Sequence, residues 1–150
     1  MIKILLFFIF VFLDLISKFI VKSTLLLNQK VEINKFLDLA YIQNYGVSFG
    51  FLSGYVSYWV LIIIGLIIVL LIIYLMAISK KKIEKLAYFI IIIGAISNII
   101  DRSLNTYVID FILIHYENYY WPAFNLADIY ITIGIIMLIV SFFKISEENK

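Results

Sequence analysis

Apolar residues fill four long runs of the chain, and the polar positions are concentrated between them. The first run, Ile4 to Val21, is interrupted only by Asp14, Ser17 and Lys18. The second, Tyr55 to Ser79, contains no charged residue at all. About 20 apolar residues in a helix cross a bilayer. Together with two shorter runs, the pattern predicts four membrane-spanning helices, at about residues 4–22, 57–79, 86–104 and 124–143.

The connections between these runs have a different pattern. Residues 31, 33, 37 and 39 are apolar and alternate with polar ones, which is typical of short strands, and residues 106–112 also have strand composition. Residues 44–51 mix glycines with aromatics, so this piece either lies along the membrane surface or is a loop that only leads into the next helix. The tyrosines and tryptophan of residues 116–121 suit the aromatic belt of a membrane interface.

Composition fixes the class as a single-domain integral membrane protein. Hydrophobic residues make up 65% of the 150 and charged residues 15%, with a mean hydropathy of +1.10. Asp14 and Lys18 interrupt the first run, which argues for a retained helix rather than a cleaved signal peptide. The lack of cysteine excludes disulfides and thiolate nucleophiles, and the single His115 offers no zinc cluster, so no metal or cofactor is expected. A net charge of +2 gives no argument for nucleic acid.

The lysines set the expected orientation. Four of them, Lys80, Lys81, Lys82 and Lys85, form a basic loop over residues 80–85, which the positive-inside rule assigns to the cytoplasm. Residues 23–56 and 105–123 then become outer loops. Both termini are expected to be cytoplasmic, since the number of spans is even.

Polar residues of three predicted helices reach one level of the membrane. Asp101 follows Lys85 at the same separation along the chain as Asp128 precedes Lys144. At about 1.5 Å per residue, both aspartates lie roughly 24 Å above the inner lysines, and Lys18 reaches a similar level. The predicted layer is therefore near the outer face. Ionisable groups at such depth are functional-site hypotheses by default.

Helical spacing groups these residues further. Asn98, Asp101 and Arg102 share one face of the third helix, and Gly94 one turn below allows close approach of a neighbour. Asn125 and Asp128 share a face of the fourth. Asp14 and Lys18 stand at i and i+4 and are able to neutralise each other. That last pair either takes part in a site or only holds helices in register.

Two neighbouring carboxylates are able to share a proton, one acting as base toward water and the other as acid toward a carbonyl and its leaving amine. Arg102 follows Asp101 directly and favours its ionised, supporting form. Asp110 has no adjacent cation, and its apolar neighbours should raise its pKa. The charge environment therefore predicts an Asp110–Asp128 dyad for aspartyl hydrolysis.

The chain resembles the lipoprotein signal peptidase family, also called signal peptidase II. Five blocks carry the resemblance in order along nearly the whole chain, namely Asp14–Lys18, Asn44–Phe49, Gly94–Arg102, Val108–Phe111 and Phe124–Asp128. Departures from the family pattern are Ser97, where a glycine is usual, and Tyr45, Val47 and Ser48, where small residues are usual.

The resemblance implies a four-helix membrane fold with a small extracytoplasmic β-rich cradle and a surface-lying helix. It implies cleavage of diacylglyceryl-modified prolipoproteins just before the lipidated cysteine, in the bacterial cytoplasmic membrane, without a metal. Its catalytic dyad matches Asp110 and Asp128. The family's surrounding residues match Asp14, Lys18, Asn44, Gly46, Asn98, Arg102, Asn125 and Ala127. The peptide inhibitor globomycin is expected to occupy the same site, and membrane lipid to surround it.

Two other classes stay open at this point. A small transporter or ion-conducting subunit would use Asp14, Asp101 and Asp128 as a relay, which requires carboxylates along a path through the membrane. An assembly factor without catalysis would use polar residues only to hold helices together. The first leaves the inner half of the membrane without a relay group, and the second leaves Asp110 without a role.

Overall fold

A computed structural model describes residues 2–47 and 54–148 of the chain. Within these residues the helices are α1 (Ile2–Thr24), α2 (Tyr58–Ile78), α3 (Lys82–Asn105) and α4 (Leu126–Glu148). The strands are β1 (Lys30–Asn34), β2 (Leu37–Asn44), β3 (Val108–Tyr116) and β4 (Tyr119–Tyr120). All four helices are long and apolar enough to cross a membrane, which confirms the number of helices predicted from the apolar runs.

The outward faces of the helices are apolar. On α2, Ile67, Leu70 and Tyr74 are each about 60% or more exposed. A water-soluble protein rarely exposes contiguous apolar surface of this extent, whereas lipid tails are a suitable solvent for it. The helices are therefore packed for a bilayer, with their polar side chains turned inward.

Helices α3 and α4 approach closely at two glycines. A Cβ built at Gly94 would overlap the carbonyl oxygen of Ala127, as predicted from the small residue one turn below Asn98. A Cβ at Gly134 would lie 2.5 Å from Ile91 Cγ1 and 2.8 Å from the Ala87 carbonyl oxygen. Since neither position has room for a side chain, the two glycines fix how α4 lies against α3.

The strands form one antiparallel sheet in the order β1-β2-β3-β4. The strands predicted from alternation and composition are thus present. One face of the sheet packs on α1 through a core of Val21, Tyr41, Ile109 and Phe111. Asp110 lies between two of these core residues on β3, so its side chain points to the opposite face.

Helix α3 ends in a tight turn that leads into β3. Thr106 adopts the left-handed conformation (φ 70°) and its N–H donates to the Arg102 carbonyl at 2.8 Å. The chain therefore reverses within a few residues and brings Asp110 back toward the end of α3. Of the piece expected either to lie along the membrane surface or to form a loop, residues 44–51, residues 48–51 lie outside the described residues, so the surface-lying helix implied by the resemblance stays a prediction.

Candidate active site

Lys18 is the centre of a buried polar cluster formed by α1 and α3. Its Nζ lies 2.8 Å from Asp14 Oδ2 and 3.4 Å from Asp101 Oδ2, and it donates to Asn98 Oδ1 at 2.7 Å. Lys18 is 1% exposed and Asp14 is fully buried. The predicted i, i+4 pairing of Asp14 with Lys18 is confirmed, and so is the convergence of α1 and α3 in one polar layer.

Asp101 has a different partner from the one expected. Arg102 does not form an ion pair with it; the cation in contact is Lys18. Successive residues of a helix point about 100° apart, so the Arg102 side chain turns away and its Nη2 donates to the carbonyl oxygen of Gly46 instead. Asp101 also accepts hydrogen bonds from Asn105 Nδ2 at 2.7 Å and from the Ile109 N–H at 2.8 Å. It thereby ties the end of α3 to the start of β3.

Asp128 is built into the start of α4. The Asn125 side chain, at the N-cap, accepts from the Asp128 N–H at 3.0 Å, and Asp128 Oδ2 accepts from the Asn125 N–H at 3.1 Å. This reciprocal pair is a capping box, in which two free N–H groups of the helix start are satisfied together. Asp128 Oδ1 accepts a further bond from Asn98 Nδ2 at 3.0 Å. Both oxygens of Asp128 are thus oriented by neutral donors.

Asp110 lies on β3, and its side chain faces the N-terminus of α4. It stands opposite Ile42 in the β2–β3 register and is 3% exposed. Its Oδ1 accepts from Asn125 Nδ2 at 2.7 Å, and its Oδ2 accepts from Asn44 Nδ2 at 2.9 Å. Asn125 therefore contacts both carboxylates of the predicted dyad, through its side-chain amide at Asp110 and through its backbone N–H at Asp128.

The surroundings of Asp110 disfavour its charged form. Burial, and next the nearby Asp128 carboxylate, raise the pKa of Asp110 to about 7, against hydrogen bonds from Asn44 and Asn125 and the charge of Lys18, which act to lower it. The direction agrees with the prediction from its apolar neighbours. A carboxyl group that titrates near neutral pH is able both to hold and to release a proton.

Asn98 connects the two parts of the site. Its carbonyl oxygen accepts from Lys18, and its amide nitrogen donates to Asp128. Because the charged lysine can only donate, it fixes which way the Asn98 amide is turned. The Lys18 cluster thus orients a donor toward Asp128 without placing a cation in contact with it.

The remaining predicted residues also lie at this site. The Ala127 N–H donates to Asp14 Oδ1 at 2.9 Å. The Gly46 N–H donates to Asn44 Oδ1 at 2.9 Å, which leaves the Asn44 amide nitrogen directed at Asp110. All eleven residues predicted for the site are therefore connected through one network. Within the described part of the chain, no three His, Asp or Glu side chains are grouped as a metal site would require.

Two polar residues of the network were not predicted from the sequence to belong to the site. Ser97, fully buried, donates to Asp14 Oδ2 at 2.6 Å, and Asn105 donates to Asp101. Ser97 directly precedes Asn98, and Asn105 stands at i+4 from Asp101. Helical spacing was a usable signal for Asn105, whereas Ser97 shows its role only once the position of Asp14 is known.

Comparisons with known proteins agree on one family. The family model described as signal peptidase (SPase) II matches residues 6–144. A lipoprotein signal peptidase of Haemophilus influenzae is 38% identical over 143 residues, which are 92% of this chain and 82% of that protein. A lipoprotein signal peptidase of Rickettsia felis is 40% identical over 124 residues, 79% of this chain and 63% of that protein.

The fold has a solved counterpart. A bacterial membrane enzyme determined by the in meso method at 2.3 Å resolution superposes with a TM-score of 0.89 at 30% sequence identity. The match covers 99% of this chain and 91% of that one. The described helices and the small sheet are thus similar to those of a bacterial membrane enzyme.

Proposed function

Because the chain belongs to the signal peptidase II family, we propose that it removes signal peptides from bacterial prolipoproteins with Asp110 and Asp128 as an aspartyl dyad. The observation that carries the dyad is the geometry around Asn125, whose amide donates to Asp110 while its carbonyl oxygen accepts from the Asp128 backbone. The Asn125 N–H also donates to Asp128 Oδ2, so these contacts support a pair of carboxylates held by one neutral residue.

The lack of a contacting cation supports the same assignment. Among the described side chains, those of residues 2–47 and 54–143, no Lys, Arg or His nitrogen forms an ion pair with either dyad carboxylate. Two neighbouring like charges disfavour double ionisation, and the Asp128 carboxylate accordingly raises the pKa of Asp110. At neutral pH the pair therefore shares one proton, with Asp110 as the side chain whose pKa of about 7 suits the exchange.

The reaction follows from that shared proton. The ionised carboxylate removes a proton from a water molecule, which attacks the carbonyl carbon of the scissile peptide, while the protonated carboxyl group donates to the carbonyl oxygen. A gem-diol intermediate forms. As it collapses, the first carboxyl group gives its proton to the leaving nitrogen, the second carboxylate takes a proton from one hydroxyl of the gem-diol, and the C–N bond breaks. The dyad then again holds one proton.

The proposed substrate is a diacylglyceryl-modified prolipoprotein, cut just before its lipidated cysteine. The apolar outward faces of the helices support a site that meets its substrate within the membrane, with lipid around it. We assign the sheet and the dyad to the outer face of the cytoplasmic membrane and both termini to the cytoplasm. That orientation rests on the lysines of residues 80–85. Globomycin is the proposed inhibitor of this site.

The decisive experiment incubates detergent-purified protein with a precursor peptide in lipidated and unlipidated forms. We expect cleavage of the lipidated form only. Asp110→Asn and Asp128→Asn should each reduce the rate by at least about a thousandfold, since each removes a proton-transfer group.

Asp38→Asn is the matched control. Asp38 is also a buried aspartate of the sheet, on β2, but its carboxylate lies 3.1 Å from His115 Nε2 and outside the network. Its replacement should leave cleavage within about twofold. Full activity of either dyad variant would exclude the dyad, and cleavage of neither peptide by the unaltered protein would exclude the substrate.

A further inference from the structure

We propose that Ser97 is a positioning residue for this reaction: its hydroxyl, bonded to Asp14, holds the first turn of α4 and with it the Asp128 carboxylate. The inference rests on the proposed function, because it assigns a role in catalysis. Ser97 itself touches neither Asp110 nor Asp128 and is fully buried among the helices.

The direction of the Ser97 hydroxyl is the first reason. Serines within helices commonly donate to a carbonyl of their own backbone three or four residues earlier. Ser17 and Ser103 do so, each at 2.7 Å, to the carbonyls of Asp14 and Ile99. Ser97 donates instead across the helix interface to Asp14 Oδ2 at 2.6 Å. Its single donor therefore joins α3 to α1.

Asp14 in turn contacts α4. Its other oxygen, Oδ1, accepts the N–H of Ala127, the second residue of α4, at 2.9 Å. A buried carboxylate at a helix N-terminus is favoured by the free N–H groups there. The same turn contains Asp128, whose N–H and carboxylate are engaged by Asn125. The position of Asp14 therefore sets the position of this turn.

A second route leads through Lys18. Asp14 Oδ2 accepts from both the Ser97 hydroxyl and Lys18 Nζ, and Lys18 also donates to Asn98. Without the hydroxyl, Oδ2 would depend on Lys18 alone and draw it away from Asn98. The Asn98 amide would then lose the bond that turns its nitrogen toward Asp128. Both routes end at the same carboxylate.

The test is Ser97→Ala, with Ser103→Ala as the matched control on the same helix. Ser103 is exposed and its hydroxyl bonds only to its own helix. On lipidated precursor peptide, Ser97→Ala should lower kcat about tenfold and leave KM within about twofold, because misplacement of a reacting group by a fraction of an ångström acts on the chemical step. Ser103→Ala should leave both constants unchanged.

A second measurement follows the connection without using activity. Labelling with ¹⁵N-alanine reports the six alanines of the unaltered chain and a seventh in each serine variant, and Ala127→Gly identifies the Ala127 signal. In detergent, Ser97→Ala should speed hydrogen exchange of the Ala127 amide by at least about tenfold relative to Ser103→Ala, since the acceptor of that amide is loosened.

An unchanged kcat, or an unchanged Ala127 amide in Ser97→Ala, would overturn the role of Ser97 while the proposed function stands. Equal loss of kcat in both serine variants would also overturn it. If the unaltered protein cleaves no lipidated precursor, the proposed function fails and the catalytic role of Ser97 with it; the exchange of Ala127 then still reports whether Ser97 holds α4.

Discussion

The four aspartates of the site form two pairs that differ in what surrounds their charge. Asp14 and Asp101 both contact the ammonium group of Lys18 and also accept backbone N–H groups. Asp110 and Asp128 receive their hydrogen bonds from asparagine side chains and one backbone N–H, with no cation in contact among the described side chains. The two pairs thus differ in direct contact with a cation, whereas the charge of Lys18 reaches the second pair only at longer range.

This difference in surroundings suits the two pairs of aspartates to different roles. A buried carboxylate in contact with a lysine is held ionised, and removing one partner leaves an uncompensated charge. A carboxylate held by amides is oriented just as firmly, yet its proton remains free to move, since an amide supplies direction without a full charge. The first pair is suited to fixing the helices and the second to exchanging protons.

The largest effect is expected from Lys18→Met, which breaks the supporting pair. Two buried carboxylates would lose their cation, and loss of one partner of a buried ion pair destabilises by about 3–5 kcal/mol. Thermal denaturation in detergent should show a strongly lowered Tm. Lys22→Met, one turn along the same helix, removes an exposed ammonium that bonds to Asn105 and should change the Tm little. Equal Tm values for both variants would contradict the comparison.

Asn125→Ser is expected to separate orientation from helix capping. Serine is a good N-cap residue, so the start of α4 should keep its stability. The donor to Asp110 is lost, and we expect cleavage of the lipidated precursor to fall by about a hundredfold, the size seen for a group that orients catalytic residues. Asn125→Ala should lose the same activity and in addition about 1 kcal/mol of stability. A Ser variant of full activity would contradict the linking role of Asn125.

The pH dependence of stability and of cleavage tests the Asp110–Asp128 pair directly. The pKa of Asp110 is raised from 3.8 to about 7, so the folded protein binds more protons than the unfolded chain between these values. Stability should therefore fall as pH rises through that window, by up to about 1.4 kcal/mol per pH unit. Cleavage should decline above about pH 7, as the shared proton is lost. Asp110→Asn should remove the part of this stability slope that Asp110 contributes.

Asn44→Ala should give the smallest effect. The amide of Asn44 favours the ionised form of Asp110, so its removal should raise the pKa of Asp110 further. We expect the alkaline decline in cleavage to move upward by about one pH unit or less. Asn34→Ala, which removes an asparagine of the β1–β2 turn that bonds to the Phe36 N–H, should leave the decline in place. A downward shift would contradict the role of Asn44.

Much of the fold, and the membrane level at which the site residues meet, could be predicted from the sequence. Four apolar runs predicted the four helices, because length and hydropathy alone decide whether a helix suits a bilayer. Counting helical rise from the lysines brought Asp101, Asp128 and Lys18 to one level, and the structure connects them through Lys18 and Asn98. Such reasoning succeeds where the geometry is periodic and local.

The hydrogen-bond and ion-pair partners of each carboxylate were harder to predict from the sequence. Arg102 was expected beside Asp101 from adjacency, but the contact with Lys18 depends on how α1 lies against α3. The bond from Asn44 to Asp110 joins residues far apart along the chain and depends on the register of β2 on β3. Registers and helix rotations are set by packing of the whole chain, so a single sequence does not fix them.

The capping box of α4 has a consequence for how this chain is able to change in length. Asn125 and Asp128 contact each other only because they stand three residues apart at the first turn. One inserted residue between them would rotate Asp128 by about 100° and shift it by about 1.5 Å, away from Asn98. We expect insertions to be tolerated in the β1–β2 turn, where no site residue depends on the spacing. Between Asn125 and Asp128, by contrast, we expect substitutions to be tolerated, whereas an inserted or deleted residue should abolish the capping box.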